Sequence, residues 1–113
     1  MAERTTQAHL EAQLRELCAV TNAPTGPIWQ VIDRRTVATV GALYLDHAAE
    51  YGGWRVAQII SAQGGESSPL GDRRLPARHM WLALRAALGA IRLALGDAEY
   101  ERRRAGARQR DQH

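Results

Sequence analysis

Arg78, Arg85 and Arg92 stand seven residues apart. On a helix that spacing drifts by only about 20° per step, so three guanidiniums line one edge. Arg73 and Arg74 come just before them. A guanidinium presents a planar fork of donors that grips carboxylate or phosphate oxygens in pairs, so the series suits a partner protein's acids or a nucleic-acid backbone. The same series also suits a plainer role, the solvated edge of an amphipathic helix paired with the chain's own Asp and Glu. A second surface lies at Tyr51-Gly52-Gly53-Trp54, which brings two aromatics to one hairpin end. Exposed aromatics there make a natural protein-binding anchor. A buried Trp54 shielded by Tyr51 is the structural alternative.

Other residue types nominate less. Gly64-Gly65-Glu66-Ser67-Ser68 offers backbone amides and hydroxyls to an anion. It lacks the Gly-Lys-Ser/Thr ending of a phosphate-binding loop, and Glu66 repels phosphate, so it reads as a plain loop. His9, His47, His79 and His113 form no metal-ligand spacing with each other or with Cys18. Asp46 and His47 are adjacent, and on a strand they point to opposite faces. There is no Gly-x-Ser-x-Gly elbow and no paired-cysteine motif. The expectation is a non-enzymatic protein with no catalytic residue, no metal and no cofactor.

The 113 residues suit one domain, with a core large enough to fold without a disulfide or a metal. A lone cysteine, no apolar leader-type run and no membrane-length apolar stretch predict a cytoplasmic location and no membrane partner. The net charge of +3 is carried by arginine alone, and it is uneven. Residues 1–66 hold five arginines against seven acids, whereas residues 67–113 hold ten against five. Basic character therefore belongs to the C-terminal part.

The elements that must position these groups predict an α+β fold. Residues 1–22 read as a helix capped by Thr5 or Thr6, with Leu10, Leu14, Leu17 and Cys18 on one face. Asn22-Ala23-Pro24 ends it. Ile28-Trp29-Gln30-Val31-Ile32 is either a third strand or an apolar lid, and Asp33-Arg34-Arg35 breaks the run. Val40–Asp46 and Trp54–Ala62 form an antiparallel hairpin, with Leu43 and Leu45 on one face and Tyr44 and Asp46 on the other. A loop follows from Gln63 to Leu75. Pro76 then opens a long core helix with the stripe Trp81, Leu84, Leu88, Ile91 and Leu95. Leu82, Ala86, Gly89 and Leu93 make a second apolar line on nearly the opposite side. That line is either covered by the first helix or open as a homodimer interface. The domain is taken as residues 1–98, with 99–113 a polar, arginine-rich tail that frays.

The segments Leu43-Tyr44-Leu45, Tyr51-Gly52-Gly53, Gly64-Gly65 and Arg74-Leu75-Pro76-Ala77-Arg78, with Thr25-Gly26 closing the first helix, resemble a group of small proteins encoded by bacteriophages and prophages. In that group an Asn often precedes the glycine pair and a polar cap begins the helix; Ser61, Ala62 and Pro76 stand here instead. The resemblance carries no activity with it. It implies a mobile-element accessory protein, a class rich in proteins that bind and disable host systems. The expected function is binding of a host protein complex, with anti-defence inhibition of the anti-CRISPR type by surface occlusion. The alternative is nucleic-acid binding by the C-terminal arginines.

Overall fold

The computed structural model describes residues 4–24 and 26–111, with side chains as far as residue 107. Thr25 and the side chains of Arg108 and Arg110 therefore lie outside the described residues. The fold is mixed α+β, and the chain divides into two compact units, residues 23–76 and residues 1–22 with 77–113.

The helical unit begins with α1 (Gln7–Thr21). Thr6 caps it: its hydroxyl accepts from the His9 amide, while the Thr6 amide donates to His9 Nδ1 at 3.1 Å. Two amides that a helix start leaves unpaired are satisfied this way, and His9 is thereby given a structural task. Asn22 closes the helix in the left-handed region, with φ of 57°, before Pro24. Leu10, Leu14, Leu17 and Val20 are buried along one face, each contributing roughly 1.5–3 kcal/mol of transfer free energy. Cys18 is partly buried beside them, and burial pushes its thiol pKa up, which leaves it a poor nucleophile.

The long helix α2 (Ala77–Leu95) buries Met80, Leu84 and Leu88 and packs on α1. Trp81, Ile91 and Leu95 of the expected stripe are half-buried at its margins. Gly96, with φ of +84°, stops α2, and α3 (Asp97–Asp111) follows at once. The polar segment expected to fray is thus helical. Its ring anchor, Tyr100, is 3% exposed, and α3 packs on both α1 and α2. Polar sequence is no obstacle here because the packing is carried by one aromatic, by an ion pair from Arg104 to Glu16 and by a bond from Arg103 to the Val20 carbonyl.

In the other unit, β1 (Trp29–Ile32) and β2 (Arg35–Ala38) form a two-stranded antiparallel ribbon, with Trp29 opposite Ala38 and Ile32 opposite Arg35. Trp29–Ile32 of the apolar run is therefore a strand, though in a sheet of its own with β2 and not as a third strand beside the expected hairpin. Asp33 and Arg34 do more than break it. With φ of 50° and 66° they make the two-residue turn whose twist suits a hairpin. A second sheet has the order β3-β4-β5, with β3 (Leu43–Ala48), β4 (Gly53–Ile59) and β5 (Glu66–Ser67). β4 is central, which explains why it is apolar on both faces: Val56 and Ala57 are both fully buried. The long segment after it returns twice to the same strand, through β5 and through Leu75, which exchanges backbone hydrogen bonds with Trp54 at 2.7 and 2.8 Å. Backbone bonds from Ala38 to Ala62 and from Gly41 to Ile59 tie ribbon to sheet, over a small core of Ala38, Ala42 and Ile59 with Ile28 and Tyr44 against it.

Two glycines are obligatory for that arrangement. Gly53 has φ of +118°, and a Cβ there would stand 2.5 Å from the Leu75 carbonyl oxygen. Gly64 has φ of +96°, and its Cβ would stand 2.6 Å from the Trp29 indole. Glycine is the residue that tolerates both the dihedral and the close approach.

Candidate functional site

The five arginines of the sequence reading divide between the two units. Arg78, Arg85 and Arg92 are on α2, and Arg73 and Arg74 precede it in the sheet-bearing unit. They also divide by what they touch. Arg74 is bound internally, with Nη2 2.8 Å from Asp46 Oδ2 and Nη1 donating to the Asp46 carbonyl at 2.9 Å. Arg92 holds Asp97 at 2.8 Å and Glu101 at 3.3 Å, and its guanidinium lies 5.0 Å from the Tyr100 ring centroid. Arg78 lies over Trp81 at 5.3 Å, an attraction between cation and ring face. Arg85 donates to Gln13 Oε1 at 3.3 Å. Among the described residues Arg73, Arg78 and Arg85 have no carboxylate partner.

Arg74 belongs to a network on one face of the second sheet. Asp46 accepts from Arg74 and from Arg55 Nε at 2.9 Å; Arg55 also reaches Glu66 at 2.8 Å and the Ser68 hydroxyl at 3.0 Å. Tyr44 donates its hydroxyl to Glu66. The Arg74 guanidinium, helped by Arg55, holds the Asp46 carboxyl below its usual range. Burial, and then the Glu66 carboxylate, push the Tyr44 phenol up to about 12. Charges balance across these residues, and the network fastens β5 and the chain before α2 to the hairpin. Glu66, set in the segment considered for an anion, is one of its acceptors.

The two aromatics at the hairpin end part company. Trp54 is half-buried and stacks on His47, its cross-strand neighbour, with centroids 4.1 Å apart. Tyr51 sits in a short 3-10 turn (Ala49–Tyr51) and is 74% exposed. Only Tyr51 is presented to solvent as a free side chain.

The second apolar line of α2 is open. Leu82 is 48% exposed and Leu93 88% exposed, and Ala86 and Gly89 between them are exposed too. α1 packs on α2, and the buried residues Met80, Leu84 and Leu88 lie on the opposite side. Beside this line, at Gly89, opens a cleft of about 300 Å³ whose walls carry Arg85, Arg92, Arg104, Tyr100 and Glu16. Arg104 Nε is 3.0 Å from Glu16 Oε1, and Tyr100 donates its hydroxyl to Glu16 Oε2. Burial first, and Glu16 second, push the Tyr100 phenol up to about 12. Sequence reasoning missed this cleft, because Glu16, Arg85 and Arg104 are far apart in the chain. No described residues cluster in a way that would hold a metal, and no described helix is long and apolar enough to cross a membrane.

The chain matches no protein-family model, no curated protein and no solved structure. The likeness to phage-encoded proteins therefore rests on its short motifs alone.

Proposed function

We propose that this is a non-enzymatic accessory protein of a phage or other mobile element that acts by binding a protein complex of the host cell, with inhibition of a defence system by surface occlusion as its role. The observation that carries the reading is the open line of α2. A helix firmly packed on one side leaves two leucines exposed on the other, with only small residues between them, and an apolar face of that kind is characteristic of a surface awaiting a partner. Nucleic-acid binding finds support in Arg73, Arg78 and Arg85, which have no carboxylate partner among the described residues. It is disfavoured by Arg74, Arg92, Arg102, Arg103 and Arg104, all paired with carboxylates of this chain.

Affinity capture from host lysate, run in parallel with wild type and Leu93→Glu, tests the reading. A complex held by wild type and lost by the variant is expected. Equal capture by both would remove the α2 line from the function. Duplex DNA binding that falls steeply between two salt concentrations would favour the alternative.

A further inference from the structure

Resting on the protein-binding reading, we propose that the open face of α2 receives an acidic amphipathic helix of the partner, with one of its carboxylates entering the cleft beside Gly89 to meet Arg85. The seam suits a helix. Leu82, Ala86, Gly89 and Leu93 follow the four- and three-residue steps that keep side chains on one face, and the small central pair lets a second backbone come close. One flank of the seam is basic. Arg78 and Arg85 border it without carboxylate partners among the described residues, and Arg92 lies a turn or two further along the same edge.

The cleft gives the acid a destination. Arg92 and Arg104 on its walls are already neutralised by Asp97, Glu101 and Glu16, while Arg85 has only the amide oxygen of Gln13. Replacing that neutral acceptor by a carboxylate gives the shorter, stronger charge-assisted bond.

A second copy of this chain fits the same face less well. Two copies related by a two-fold axis would run their α2 helices antiparallel, pairing Leu82 with Leu93 and Ala86 with Gly89. The axis keeps each flank on its own side, so both arginine edges would lie together. At 1.5 Å per residue the two Arg85 positions would be offset by about 7.5 Å along the helices. Like charges that close oppose association, whereas a foreign helix with Asp or Glu on that edge meets attraction instead.

The test uses the full chain and a fluorescein-labelled, stapled helical peptide with Leu and Ala along one seam, Glu on one flank and Gln elsewhere. Its control carries Lys in place of Glu. Fluorescence anisotropy should show the Glu peptide bound, with Arg85→Glu, Leu93→Glu and the Lys peptide each weakening binding by about tenfold or more. Both substitutions fall on exposed positions, and circular dichroism checks that the helices persist. Equal affinity for the two peptides, or indifference to Arg85→Glu, overturns the proposal even if lysate capture still depends on Leu93. Sedimentation showing a dimer that Leu93→Glu dissolves would assign the face to a second copy. A DNA duplex bound more tightly than the Glu peptide and lost in Arg85→Glu would assign the edge to nucleic acid.

Discussion

Replacing Tyr100 by Phe removes a single oxygen from the place where α3 meets α1. The ring stays buried, Arg92 keeps its position over it, and Glu16 retains Arg104. What is lost is the hydroxyl's bond to Glu16. A hydrogen bond to a charged acceptor contributes about 1.5–3 kcal/mol to stability. The displaced phenol gives an independent figure. A pKa raised from 10.0 to about 12 corresponds to roughly 2.7 kcal/mol of preference for the neutral form. Burial supplies the largest share of that, so the bond to Glu16 falls at the lower end of the first range, about 1.5 kcal/mol. A loss of this size lowers the melting temperature of a domain this long by roughly 4–8 °C.

The dependence on pH has a definite sign. The folded pKa stands above the unfolded one, so the tyrosine's contribution is complete below pH 10 and is lost as pH rises through 12. Urea denaturation followed at the helical dichroism band should therefore show a gap between wild type and Tyr100→Phe that is constant from about pH 7 to 9, closes near about pH 11 and is reversed by about pH 12. Tyr44 is present in both proteins and cancels in the comparison. Identical midpoints at pH 8, or a wild type still more stable than Tyr100→Phe at pH 12, would refute the account of how α3 is held.

Two further outcomes follow from the sheet-bearing unit. Gly53→Ala forces a Cβ to 2.5 Å from the Leu75 carbonyl oxygen at a φ of +118°, and should cost at least about 2 kcal/mol in a urea titration. Gly26→Ala meets no atom within 4 Å and serves as the near-neutral control. Asp46→Asn removes the acceptor shared by Arg55 and Arg74 and should cost about 1–2 kcal/mol at pH 7. Because the Asp46 pKa is depressed on folding, its stabilisation is present above the unfolded value of 3.8 and is lost as pH falls through the folded one. The difference between Asp46→Asn and wild type should thus vanish in strong acid; a difference that survives there would disprove the assigned charge state.

How much of this was legible in the sequence depends on how local the cause is. Thr6 and the leucine spacing of α1, the stripe of α2, the alternation of β3 and the apolar run of β4 act over a few residues, and each is readable. The ribbon was half-legible. Its turn is made by Asp33-Arg34 in the left-handed region, where Asn-Gly or Asp-Gly would have signalled it, so β2 stayed hidden behind what looked like a charged break. α3 was illegible for another reason. Its sequence is polar almost throughout, and its fastenings join Arg104 to Glu16 and Arg103 to the Val20 carbonyl, more than eighty residues away. No periodicity reports a contact of that kind.

The same long-range pairing changes what the arginine excess of the C-terminal part means. Counted along the chain, residues 67–113 look like a basic surface. Counted in space, Arg92, Arg102, Arg103 and Arg104 face Asp97, Glu99, Glu101 and Glu16, and the charge left facing outward on α2 is chiefly that of Arg78 and Arg85 beside an apolar seam. A polyanion bound by a broad basic surface loses about 0.9 log units of affinity per phosphate neutralised for each tenfold rise in salt. A helix seated on Leu82 and Leu93 with one or two flanking ion pairs loses little, because its main driving force is removal of apolar surface from water. The steepness of the salt dependence therefore reads out which count governs the function.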